Sequence, residues 1–225
     1  QGATVGWAAS ETGAVGGLQA FQTGDVAVKP DHTLGAQMKL TRKSLRQSGA
    51  ALEQAVRRDM GAAIQQELDR AVFLGAGANG EPSGLIAGAS GYGINETALD
   101  AAPSYGTFRA AVTRFMLANA ISAPSQVRVL ARPETWDDLE EQAASTAAPM
   151  WEWDRLAAAV GSGNISLSAH ALPDYAGSPA VSKALLATTV NGVAPGLLAL
   201  WGGVDLIRDP YSDAASGGLR LTGLV

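Results

Sequence analysis

The sequence predicts an α+β fold. Three observations carry that reading. One is a long stretch of helical periodicity, another an extended, glycine-punctuated N-terminal region, and the third a C-terminal half in which helices and short strands mix without regular βαβ alternation. Charge adds a constraint. Only 16% of the 225 residues are charged while 47% are hydrophobic. Soluble domains usually carry about 25%, so this chain is expected to cover much of its surface with partner subunits. The net charge of −5 offers no general attraction to nucleic acid or anionic membrane.

The long helix is expected from Ser48, its N-cap, to Gly75, its C′ residue. Leu52, Val56, Met60, Ile64, Leu68 and Val72 recur every four residues, with Ala55, Ala63 and Ala71 beside them. This is the apolar stripe of a helix lying on a core. Glu53, Arg57, Arg58, Gln65, Gln66, Asp69 and Arg70 fall largely on the other side. Such a helix spans roughly 38 Å at 1.5 Å per residue.

Gly75-Ala76-Gly77-Ala78-Asn79-Gly80 follows it and matches G-x-G-x-x-G, with an acid, Glu96, further on. A dinucleotide site needs those glycines after a strand and before a helix N-terminus. Here they follow a helix, and Glu81-Pro82-Ser83-Gly84 continues as turn. A helix stop with a tight loop is the better reading, and the dinucleotide-binding enzyme is a remote alternative.

Ahead of the helix, residues 1 to 40 read as strand-like pieces broken by glycines: Thr4–Ala8, Asp25–Lys29 and Leu34–Leu40. The last two alternate and are joined through Pro30-Asp31, which predicts an extended β-hairpin. A two-stranded ribbon is marginal alone, so a neighbouring subunit is expected beneath it. Residues 41 to 48 read as a polar lead-in. After the glycine loop, Leu85–Gly93 is turn-like and Asn95–Pro103 is loop.

A second unit begins near Ser104. A helix is expected over Thr107–Asn119, with Phe108, Ala111, Val112, Phe115 and Met116 on its inner face. Gln126–Ala131 is a strand. Glu134–Ala143 is a helix with an acidic first turn and with Trp136 and Leu139 packed inward. Residues 144 to 164 resist assignment, and Met150, Trp151 and Trp153 sit there in a loop-prone context. Short strands follow at Ile165–Ala169, Ala184–Thr189, Leu197–Trp201, Val204–Arg208 and Leu219–Val225.

No catalytic constellation emerges. His32 and His170 are read as exposed loop histidines, and no H-x-x-x-H or H-E-x-x-H exists. There is no G-x-S-x-G and no Walker A. Ser90 and Ser162 lack a paired base, and Asp137-Asp138 with Glu140-Glu141 form a solvated helix face. Cysteine is absent, which excludes disulfides, thiol catalysis and Cys-ligated metals and fits a reducing compartment. No apolar run is long enough to cross a bilayer. No catalytic, cofactor or metal residue is therefore assigned, and no cofactor is expected. Trp151 and Trp153 are read as core or subunit-contact anchors ahead of a stacking platform. Arg42, Lys43, Arg46, Arg57 and Arg58 leave three readings open: a solvated helix face, intersubunit ion pairs, or contact with packaged nucleic acid. Because Gln1 opens the chain and Val225 closes it within an apolar run, it is expected to be the core of a longer protein.

Four stretches together resemble the major capsid proteins of tailed bacteriophages with the Hong Kong 97-type fold. Thr41–Ile86 is similar to that family's spine helix running into its glycine turn. AVKPDHTLGAQMKLTRK resembles the returning strand of its extended E-loop. Val127–Glu141 is similar to a strand, Pro-containing turn and helix of its axial domain, and Gly202–Gly223 to the segment returning to its peripheral domain. The resemblance implies an E-loop over residues 1–40, a peripheral domain with the spine helix over 41–102, an axial domain over 103–203 and an incomplete return over 204–225. It places the loop from Gln142 to Gly163 near a local symmetry axis. It implies a non-enzymatic subunit assembling as hexamers and pentamers into an icosahedral shell around double-stranded phage or prophage DNA. The implied partners are other copies, portal and scaffolding or protease proteins, and DNA held non-specifically, with no membrane. Assembly would take place in the bacterial host cytoplasm and the product is the virion. An encapsulin shell is the alternative. Lys29 lies in the arm, but no cross-link is carried over.

Overall fold

A computed structural model describes residues 8, 10–11, 27–98, 103–143, 150–174, 176–177, 180–181, 183–190 and 192–225. The expected strand Thr4–Ala8, apart from Ala8, lies outside them, as do Asp25 and Val26 of the expected hairpin.

The first folded element is strand β1, Gly35–Thr41, which runs directly into helix α1, Arg42–Leu74. The helix has 33 residues and so spans roughly 50 Å. It starts earlier than expected. Thr41, not Ser48, is its N-cap, accepting from the Ser44 amide at 3.2 Å. The polar lead-in is helical because Lys43, Arg46 and Gln47 are good helix formers. Leu45 also extends the apolar stripe back from Leu52 by two turns, and both pack on the core. Val56, Met60, Ile64 and Ala71 are buried, while Ala55 and Ala63 face solvent.

The stripe rests on a three-stranded antiparallel sheet ordered β1-β8-β7. Here β7 is Asp205–Asp209 and β8 is Gly218–Leu224. The central β8 alternates strictly, burying Leu219 and Leu221 against Leu40, Val56 and Met60. The expected hairpin is thus paired differently. β1 pairs with β8 in the register Gly35 to Leu224 through Thr41 to Gly218. Residues 27–34 carry no strand.

The second core is built around β2, Arg128–Ala131, following a 3-10 turn at Pro124–Gln126. Strand β3, Ile165–Leu167, pairs with it in parallel, and β6, Leu185–Ala187, antiparallel. A parallel neighbour requires a crossover, supplied by α3, Pro133–Glu141, and α4, Glu152–Val160. Helix α2, Tyr105–Leu117, packs on α4. Val127, Val129, Leu139, Leu156 and Val160 are at most 2% exposed and form the centre. Two-residue strands β4, Ala176–Gly177, and β5, Ala180–Val181, pair antiparallel.

Three further expectations are corrected. The face of α3 that turns inward is Thr135 with Leu139, so Trp136, one position round the helix, stays exposed. Trp151 and Trp153 stand at the start of α4 and not in a loop; Trp151 is its N-cap and Trp153 packs on the core. The stretch Leu197–Trp201 forms no strand.

Candidate assembly surfaces

The junction after α1 is built by backbone closure. The returning chain donates from Gly84 to the Gly75 carbonyl (2.9 Å), from Leu85 to Val72 (2.9 Å) and from Ile86 to Phe73 (2.8 Å). Carbonyls that a helix end leaves open are thereby satisfied. The approach is too close for side chains. A Cβ on Gly75 would meet the Pro82 carbonyl oxygen at 2.1 Å, and one on Gly84 would meet the Gly75 nitrogen at 2.4 Å. Arg70 grips the loop from the helix, donating to both carboxylate oxygens of Glu67 (Nε, 3.0 and 2.9 Å) and to Glu81. Its guanidinium holds the Glu67 carboxyl below the usual range, chiefly by hydrogen bonding. The glycine loop therefore sits at the carboxyl end of a helix, the negative end of its dipole, which disfavours phosphate.

The end of the N-terminal arm touches this junction. His32 donates from Nδ1 to the Gly80 carbonyl at 3.0 Å. His170, also exposed, lies over α1, with Gln66 Nε2 3.3 Å from its Nε2. The two histidines are far apart in role, and neither gathers metal-ligating neighbours. Among the described residues no group of three or more His, Cys, Asp or Glu could hold a metal ion, and no helix is long and apolar enough to cross a membrane.

Two polar clusters lock the cores. Lys39 and Arg220, on adjacent strands, both donate to Asp213, at 3.1 and 3.0 Å. Arg220 first, then Lys39, hold the Asp213 carboxyl below the ordinary aspartate range. In the second core Arg132 is buried. Its Nη1 donates to the carbonyls of Ala169 (2.8 Å) and Leu172 (3.1 Å), and its Nε and Nη2 bind Glu134. Sequence reasoning missed Glu152, whose carboxylate accepts from the Tyr105 amide at 2.7 Å and pairs with Arg155 at 3.0 Å. The Arg155 guanidinium in turn stacks 4.5 Å over the Tyr105 ring. The acidic first turn of α4 was its only signal in the sequence.

The structure leaves many large apolar side chains uncovered. Met150, Trp151 and Trp136 are exposed near the start of α3 and α4, as is Leu117 at the end of α2. The larger group is C-terminal: Val193, Leu197, Leu198, Leu200, Trp201 and Val204 are each about half exposed or more, with Leu197 at 85%. The basic residues of α1 are exposed as well, but Arg57 is held by Glu53 at 2.7 Å. Arg42, Lys43 and Arg46 crowd the positive end of the helix dipole, where cations are disfavoured.

A family model, that of the phage capsid family, matches residues 1–189. The chain belongs to the phage capsid family. It is a capsid protein, a structural component of the virion, and the G-x-G-x-x-G match is a helix stop in a protein that is not an enzyme. The capsid of an empty GTA particle computed with C5 symmetry has a similar fold. The TM-score is 0.57 at 17% identity, over 93% of this chain and 74% of that one. The capsid of a native GTA particle gives 0.48 at 14% identity, over 93% and 75%. No curated protein matches the sequence. The phage capsid family accounts for a chain with two sound cores and much exposed apolar surface.

Proposed function

We propose that this capsid protein is the major shell subunit, assembling as hexamers and pentamers into an icosahedral shell around double-stranded DNA. The observation that carries the reading is the α1 strut with its glycine-locked end, in a chain of the phage capsid family that leaves many large apolar side chains exposed. In this reading residues 41–102 form the peripheral domain, 103–203 the axial domain and 204–225 the return. Residues 1–40 are the E-loop, reaching over a neighbour from its root in β1. The stretch from Gln142 to Gly163, with Met150, Trp151 and Trp153, lies near the local symmetry axis. Arg42, Lys43 and Arg46 face the packaged DNA, whose phosphates relieve their crowding at the helix N-terminus. Assembly takes place in the host cytoplasm, with portal and scaffolding or protease proteins as further partners.

Negative-stain electron microscopy of the full-length protein tests this. Closed shells carrying nuclease-resistant double-stranded DNA are expected. A protein that never forms hexamers, pentamers or shells overturns the reading, and shells filled with protein cargo favour an encapsulin.

A further inference from the structure

The stretch from Val190 to Val204 contains no charged residue. Val190 and Val193 close a small turn with reciprocal backbone bonds of 3.2 and 3.0 Å. From residue 194 to 204 the chain then carries neither helix nor strand. The middle of its sequence, Leu197–Trp201, is strand-like, yet it pairs with no strand among the described residues. It leads into β7, an edge strand whose outer side is unpaired within the sheet.

The exposure is large for one segment. Val193, Leu197, Leu198, Leu200, Trp201 and Val204, each about half exposed or more, together leave several hundred Å² of mostly apolar surface open. The largest apolar patch on a typical monomer is about 300–600 Å². A standard protein–protein contact buries about 800 Å² per partner. The segment is thus comparable with the largest apolar patch of a typical monomer and, with the adjoining edge of β7, supplies a large share of one side of an interface. Its lack of charge suits another apolar protein surface and disfavours DNA, which requires cations.

We infer that Val193–Val204, together with the adjoining edge of β7, is a subunit contact covered by a second copy of this chain. The inference rests on the shell reading above, which makes another copy the abundant partner. It goes beyond the family match, which ends at residue 189. In a ring such a contact is heterologous, so the covering surface is a different part of the neighbouring copy.

These 225 residues contain no cysteine, so, against the background supplied by the wild type labelled in parallel, Leu197→Cys adds a thiol to this segment of the full-length protein. Its reaction with a maleimide is compared in isolated subunits and in assembled particles. Fast labelling in the subunit and at least about tenfold slower labelling in particles is expected. Equal rates overturn the contact. Slow labelling already in the subunit also overturns it, because the chain then covers its own segment. In parallel, Leu197→Asp with Trp201→Ser should leave the circular dichroism of the subunit unchanged and weaken association at least about tenfold; undiminished assembly of this variant overturns the contact while the shell reading stands. Should the double variant misfold, the thiol comparison decides. Wild-type oligomers that never close into shells remove the shell reading, and the thiol in those oligomers still judges the contact. A wild type that stays monomeric overturns both.

Discussion

The two cores of this subunit are closed to different degrees. Around β2, the helices α2, α3 and α4 enclose the sheet, and Val127 and Leu139 are fully buried. Around β8, the sheet has a single helix on it. Among the described side chains of α1, Val56, Met60, Ile64 and Ala71 are the buried apolar ones, and Leu52 and Leu68 are partly exposed. The first unit satisfies itself. The second is a strut with one side on a sheet and the rest available to neighbours. The difference teaches where assembly should matter: the closed core sets subunit stability, and the strut gains from being surrounded.

The sharpest way to break this comparison is truncation of one leucine in each core. Leu139→Ala removes a fully buried side chain and should cost about 3–5 kcal/mol. Leu52→Ala, at a half-covered site, should cost less than half as much in the isolated subunit. Urea denaturation of each variant measures both. Equal losses would mean that the spine unit is closed after all.

Next in size is the glycine junction. At Gly84 an added Cβ would meet backbone atoms of Gly75 and Phe73 at 2.4 to 2.6 Å. Backbone has nowhere to go, so Gly84→Ala should destabilise by well over 1 kcal/mol and free the end of α1. Gly223 offers the contrast within the same unit. There the nearest atom is Cδ1 of Ile64 at 2.9 Å, the far end of a flexible side chain. Gly223→Ala should therefore stay below about 1 kcal/mol. Hydrogen exchange at Leu85 and Ile86 reads the junction directly, since their amides bond back to the helix. Protection that survives Gly84→Ala would sink the account.

These elements also show what was legible in the sequence. Period-four apolar residues located α1, and the alternation of Leu34–Leu40 located β1, because each pattern is imposed by one buried face. The early start of α1 was hidden because its first turns are polar and exposed. Helix α4 was hidden because Trp151 and Trp153, hydrophobic in type, lie at its exposed cap and rim, while its buried face reduces to Glu152, Leu156 and Val160. The partner of β1 lies some 180 residues away in sequence, and local alternation says nothing about such pairing. The strand-like Leu197–Trp201 pairs with no strand among the described residues. The assembly surfaces were legible only as a shortage of charge, since a side chain's exposure depends on packing that local pattern does not specify.

The smallest expected effect is electrostatic and again compares the units. Asp213 bridges Lys39 of β1 and Arg220 of β8, so its carboxylate ties two strands of the spine sheet together. Its folded pKa lies below the ordinary value of about 3.9. A depressed carboxyl stabilises the fold above that ordinary value and loses the contribution as pH falls through the folded pKa. The wild type should thus show a falling urea midpoint below about pH 4. Asp213→Asn should begin slightly less stable at neutral pH and fall less steeply through the acid range. Glu134 is also held low, first by Arg132, its one charged partner, and then by a hydrogen bond from its own backbone amide. Glu134→Gln should flatten the acid slope less than Asp213→Asn does. The reverse order would show that acid sensitivity resides in the closed core and that the strut is held by packing alone.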